Sequence, residues 1–212
     1  MWETLTRPWQ ACLELAWEAY CEDCLPIGAV VTDSSGDVLA QGRNRVYPRS
    51  KWDGHSRGVE IAHAEVEALH NLDYAGLDRH ACALFTTTEP CPMCMGTFYM
   101  SGLRTLNYAA RDPWAGSVNL LGKTWYLDRK PIKVIGPDAL LESILVALFV
   151  EQELRFHDGL LPESQFWEMV REAIPGGIVL GRRLYMQQDW NKMMVHGVTA
   201  SNAFDELEFL VK

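Results

Sequence analysis

His63, Cys91 and Cys94 are the residues of this chain best suited by type and spacing to hold a metal ion. An imidazole and two thiolates are ligands that zinc favours, and three of them leave the fourth tetrahedral position to a water or hydroxide. Cys91 and Cys94 flank Pro92-Met93. If Pro92 opens a helix, both sulfurs lie on its first turn, where the helix N-terminus favours the thiolate. Glu65 stands two positions past His63. Residues so spaced do not stack along a helix, so its carboxylate is free to face a cavity as a proton carrier. An open zinc position beside a free carboxylate suits hydrolysis, whereas structural zinc knots close all four positions. Glu65 would take a proton from the activated water and pass it on to the group that leaves.

Each half of this pattern is weak alone. A single Cys-x-x-Cys pair in an α/β protein also fits a redox motif, and an isolated histidine is usually a surface or packed residue. The two halves together, each opening a helix, point to one catalytic Zn²⁺ per chain. Cys21-Glu22-Asp23-Cys24 is a second such pair. With no further ligands nearby in sequence, it reads as packed cysteines.

The elements that must position these residues follow from periodicity. Trp9, Leu13, Ala16, Trp17 and Tyr20 have helical spacing, with Pro8 in the first turn, so residues 8–21 are predicted as a helix. Residues 27–32 and 38–42 flank the turn Asp33-Ser34-Ser35-Gly36-Asp37 as a hairpin. Residues 45–59 read as an irregular loop. Ile61, Ala64, Ala68 and Leu69 give a helical stripe to about residue 72, and residues 92–101 a second helix. Residues 81–86, 103–109 and 132–135 read as further strands, and 138–153 as a long helix capped by Asp138. Helices alternating with strands indicate an α/β sandwich around one sheet. After residue 155 the pattern changes to a helix over 164–173, a strand over 178–186 and a short amphipathic helix over 204–210. Residues 1–155 are expected to form one domain, and 156–212 an extension that packs on it. Within the extension Tyr185, Trp190 and Phe204 read as core aromatics or as a lid over the site.

Composition narrows the setting. The 212 residues are 48% hydrophobic and 22% charged with a formal net charge of -9, an ordinary globular balance that disfavours a broad phosphate-binding face. Two local basic groups, Arg43, Arg45, Arg49 and Lys51, and Arg182, Arg183 and Lys192, read as solvated loop charges. The longest apolar run, Ile144 to Val150, is too short to span a bilayer. With no signal-like N-terminal pattern and six cysteines, two pairs of them spaced as Cys-x-x-Cys, a cytoplasmic, reduced protein is expected.

His63-Ala64-Glu65 with Pro90-Cys91-Pro92-Met93-Cys94 is the motif pair of zinc nucleobase deaminases, and residues 8–155 resemble the cytidine deaminase-like superfamily. Leu25-Pro26-Ile27-Gly28-Ala29-Val30-Val31 and Gly42-Arg43-Asn44-Arg45 resemble the first two strands of the branch holding guanine deaminase and bacterial tRNA adenosine deaminase. Thr88-Glu89-Pro90-Cys91-Pro92-Met93-Cys94-Met95-Gly96 and Tyr108-Ala109-Ala110 are most similar to guanine deaminases. Ala110-Arg111-Asp112 with Ala115-Gly116-Ser117 is more similar to the tRNA enzyme. The resemblance implies a three-layer α/β/α sandwich with a five-stranded mixed sheet, usually a homodimer. It implies that Asn44 and the Ala64 N–H bind the substrate, and that a ring amine is replaced by oxygen with loss of ammonia. Val59-Glu60-Ile61 stands where that branch has Asp-Pro-Thr, so the loop before His63 and the residues after 155 are expected to set specificity. The preferred expectation is a deaminase of a free base or nucleoside. A tRNA adenosine deaminase and an inactive zinc-stabilised binding module are the alternatives. The acidic balance weighs against the first alternative and Glu65 against the second.

Overall fold

The computed structural model describes residues 1–46, 60–187, 190 and 197–211. Its sheet has five strands in the order β2-β1-β3-β4-β5. They are β1 (Gly28–Thr32), β2 (Val38–Arg43), β3 (Ala83–Thr88), β4 (Thr105–Ala110) and β5 (Lys133–Ile135). β1 runs antiparallel to both β2 and β3, and β3, β4 and β5 are parallel, so the sheet is mixed as expected. Every residue of β1 is buried, as in a strand covered on both faces.

Alternate residues of the strands serve the two faces. Ala29 and Val31 of β1, Leu84 of β3 and Leu106 of β4 pack with α2 (Ala64–His70) and α3 (Pro92–Ser101). Val30 and Phe85 meet Cys12 and Leu15 of α1 (Arg7–Cys21) on the other face. There Ala109 and Ala110 also join α1 and α4 (Ala139–Phe156). The result is the expected three-layer arrangement. Asp138 caps α4, its side chain accepting from the N–H groups of Leu140 and Leu141.

Beyond α4 the chain adds α5 (Gln165–Ala173), α6 (Pro175–Met186) and α7 (Ala200–Val211). The expected strand over 178–186 is instead helix. Pro175 sits in the first turn of α6, and Gly176-Gly177 continue that helix. Gly177 and Gly181 let α6 lie directly on α4. A Cβ at Gly177 would come within 2.6 Å of Val146 Cγ1, and one at Gly181 within 2.5 Å of Val150 Cβ. Trp167, Val170, Ile174 and Ile178 pack on α4 through Val146, Val150 and Leu154. Phe204 and Leu207 of α7 join the α1–α4 core together with Trp190. Of the three aromatics weighed as a lid, Trp190 and Phe204 are buried core residues and Tyr185 is packed against the α4–α5 cluster. Among the described residues no helix is long and apolar enough to cross a membrane.

Candidate functional site

The site is built where two helices begin. His63 is the N-cap of α2 and Cys91 the N-cap of α3, with Pro92 opening that helix and Cys94 in its first turn. Their donor atoms form a triangle. His63 Nδ1 lies 3.7 Å from Cys91 Sγ and 3.4 Å from Cys94 Sγ, and the two sulfurs are 3.6 Å apart. A tetrahedral zinc ion, with bonds of about 2.3 Å to sulfur and about 2.0 Å to nitrogen, spaces two sulfurs about 3.8 Å apart and a sulfur and nitrogen about 3.5 Å apart. The triangle therefore fits one zinc ion with little rearrangement. Among the described residues it is the one His, Cys, Asp and Glu group close enough to share a metal. Cys24 is buried, in keeping with its reading as a packed cysteine, but Cys21 is exposed.

The two thiols shift each other in opposite directions. The contact with Cys94, reinforced by His63, brings Cys91 down to about 4, against the opposing effect of burial. The same contact together with burial pushes Cys94 up. His63 is raised, chiefly by its contact with Cys91.

Glu65 is buried in the first turn of α2 and is not a corner of the triangle. Its Oε2 lies 3.4 Å from Cys94 Sγ, and its Oε1 accepts from Thr86 Oγ1 at 3.0 Å. Burial pushes its carboxyl above the ordinary range. Thr86 is a partner of Glu65 that the sequence did not single out. Its role depends on β3 presenting the same face as Leu84 to α2, a tertiary fact with no local signature.

Asn44 lies just past β2 and is buried. Its N–H donates to the Ile27 carbonyl at 2.9 Å, and its Oδ1 accepts from the Val46 N–H at 3.1 Å. Its Nδ2 is buried and has no hydrogen-bond partner among the described residues. Ala64 is fully buried at the first position of α2, where a helical N–H has no acceptor within its own helix. Most of the loop before His63, residues 47–59, lies outside the described residues, and so do Arg49, Lys51 and Lys192. Arg43 and Arg45 are paired, with Glu18 and Glu22 and with Glu67 respectively.

Glu89 is a second group that spacing did not reveal. Its carboxylate accepts from the N–H groups of Asp112 and Val118 at 3.4 and 3.3 Å. The Ser117 N–H donates to the Pro90 carbonyl at 3.0 Å. The segment after β4 is thereby tied to the two residues that precede Cys91.

Residues 3–110 match the family model described as the cytidine and deoxycytidylate deaminase zinc-binding region. A cytosine deaminase of Candida albicans is 29% identical over 145 residues, covering 68% of this chain and 87% of that protein. A tRNA(Ile)-lysidine synthase of Deinococcus radiodurans is 35% identical over 120 residues, but the match spans 53% of this chain and 19% of that longer protein. Among solved structures, a guanine deaminase from Nitrosomonas europaea superposes with a TM-score of 0.51 at 31% identity, covering 70% of this chain and 85% of that one.

Proposed function

The chain belongs to the cytidine and deoxycytidylate deaminase family of zinc proteins, and from that membership we propose that it hydrolyses an exocyclic amine on a nucleobase or nucleoside ring. The products are a ring carbonyl and ammonia. The observation that carries this reading is Glu65, a buried carboxylate beside the metal triangle and outside it. A structural zinc site has no use for such a group. His63, Cys91 and Cys94 would hold the ion, and zinc, when bound, supplies the Lewis acidity that makes water easy to deprotonate at neutral pH. Glu65 Oε2, the oxygen nearer the triangle, would accept the proton of the attacking water and deliver it to a ring nitrogen. The second proton would pass by the same oxygen to the amine, which leaves as ammonia. Thr86 holds Oε1, which fixes the carboxylate for both transfers. The Ala64 N–H and Asn44 Nδ2 would bind polar atoms of the ring or its substituent, since each is a donor without a partner in its own element.

A free base or nucleoside is the preferred substrate. The net charge of -9 opposes a polyanion, and Arg43 and Arg45 are already paired with acidic side chains. The cytosine and guanine deaminases that match this chain over most of both lengths are named for free bases. The Ala110-Arg111-Asp112 and Ala115-Gly116-Ser117 stretch favours tRNA adenosine as the second reading. Arg111, however, is held by Glu142. Turnover of cytosine, adenine, guanine and their nucleosides, set against unmodified tRNA at two salt concentrations, separates the two. Turnover confined to tRNA and falling steeply with salt would overturn the preference.

The same reading makes residues 1–155 the deaminase domain and 156–212 an extension packed on it, in a cytoplasmic homodimer. Support for the extension comes from α5 and α6, which lie on α4. Light scattering that returns the mass of one chain would contradict the dimer.

A further inference from the structure

A cavity of about 150 Å³ lies between the ends of β3 and β4 and the helices α4 and α5. Ile27, Ala110, Leu145, Phe149, Phe166 and Val170 are among the residues that line it. His63, Glu65, Cys91 and Cys94 are not, yet three of its residues bond to Thr86, Asn44 and Glu89. Thr88 is a wall residue, and its carbonyl lies 3.2 Å from Thr86 Oγ1, the hydroxyl that reaches Glu65. Ile27 is another, and its carbonyl accepts from the Asn44 N–H. Asp112 is a third, tied through its N–H to Glu89, two residues before Cys91.

The charged side chains of the wall are already used. Arg111 donates through Nε and Nη2 to Glu142 at 2.8 and 2.7 Å, and through Nη2 to the Ala173 carbonyl at 3.2 Å. Asp112 Oδ1 accepts from the N–H groups of Trp114 and Ala115. Neither is left for a phosphate. Apart from Thr88 the remaining wall is aliphatic and aromatic, and its volume is that of a benzene-sized group. Trp114 packs edge-on against Phe166 with ring centroids 6.4 Å apart, which joins the segment after β4 to α5 at the same place.

We propose that this cavity receives an apolar, benzene-sized substituent of the ring that is deaminated. The preferred substrate is then an amino-heterocycle carrying a neutral hydrophobic group where a nucleoside carries ribose. This rests on the deaminase reading and gives α5 its part in it: Phe166 and Val170 close a pocket that β3, β4 and α4 alone leave open.

The test measures kcat/KM of the zinc-loaded full chain on cytosine, cytidine and 1-benzylcytosine, on adenine, adenosine and 9-benzyladenine, and on guanine, guanosine and 9-benzylguanine. For whichever ring is turned over, the benzyl form is expected to exceed the nucleoside by at least about tenfold. Val170→Phe, which fills the cavity, is expected to bring the ratio of benzyl form to free base toward one. Should that variant not fold, Ile174→Phe fills the cavity from the end of α5. A ring turned over no better as its benzyl form than as its nucleoside overturns this inference and leaves the deaminase reading standing. So does a benzyl preference that the filling variants do not alter. No turnover of any base, nucleoside or benzyl form also overturns this inference, and it overturns the deaminase reading itself only where tRNA is not turned over either.

Discussion

Two thiols, an imidazole and a carboxylate meet within hydrogen-bonding distance at the starts of α2 and α3. Two sulfurs this close are costly to ionise together unless a cation shares them, and without one Cys91 goes down while Cys94 goes up, which ties the site's chemistry to zinc. Dialysis against a strong chelator is expected to abolish ammonia release and zinc readdition to restore it. Cys91→Ala should hold well under one zinc per chain by elemental analysis, because two ligands remain. Thr86→Val should keep its zinc and lower kcat by about tenfold or more, since a displaced proton carrier loses that much. Thr86→Ser should recover most of the loss, an outcome that a purely packing role for Thr86 does not predict. His63, Glu65, Cys91 and Cys94 were legible in the sequence because their chemical types are distinctive and their offsets short. Thr86 and Glu89 were not. Their importance comes from what β3 and the segment after β4 bring against them.

At the level of elements, the core was legible because its periodicities change where the structure changes. Pro8 and Pro92 open helices, Asp138 caps one, and the hairpin turn stands where the chain reverses. Helix α6 was misread for a physical reason. Pro175-Gly176-Gly177 has the composition of a turn, and Ile178-Val179 that of a strand. Packing on α4 overrides both, and the small residues are what permit the approach. Gly181→Ala should therefore destabilise the fold by about 1–3 kcal/mol in urea denaturation, because the added methyl meets Val150. If Gly181→Ala is instead neutral or stabilising, as for an ordinary exposed helical glycine, the contact between α6 and α4 is not as close as described.

Across the whole molecule, the parts are joined by a buried polar group that no local pattern announces. Tyr20 of α1 donates to Glu151 of α4 and accepts from Trp190 Nε1 at 2.9 Å. Arg155 pairs with Glu151 at 2.9 Å and with Asp23 at 3.1 Å. Its partners lie more than a hundred residues apart in sequence, which is why the C-terminal part could be read as apolar enough to pack but not placed. Glu151→Ala leaves a largely buried guanidinium with one acid fewer, so a loss of about 3–5 kcal/mol is expected in denaturant unfolding. The fold, the metal triangle and the carboxylate converge on one reaction. It is tested most directly by measuring ammonia released per substrate consumed for the wild type and Glu65→Ala, with zinc per chain determined on the same samples. Equal zinc in both, equimolar ammonia from the wild type and a loss of at least about a hundredfold in the variant is the predicted result. Undiminished ammonia release by Glu65→Ala would contradict it.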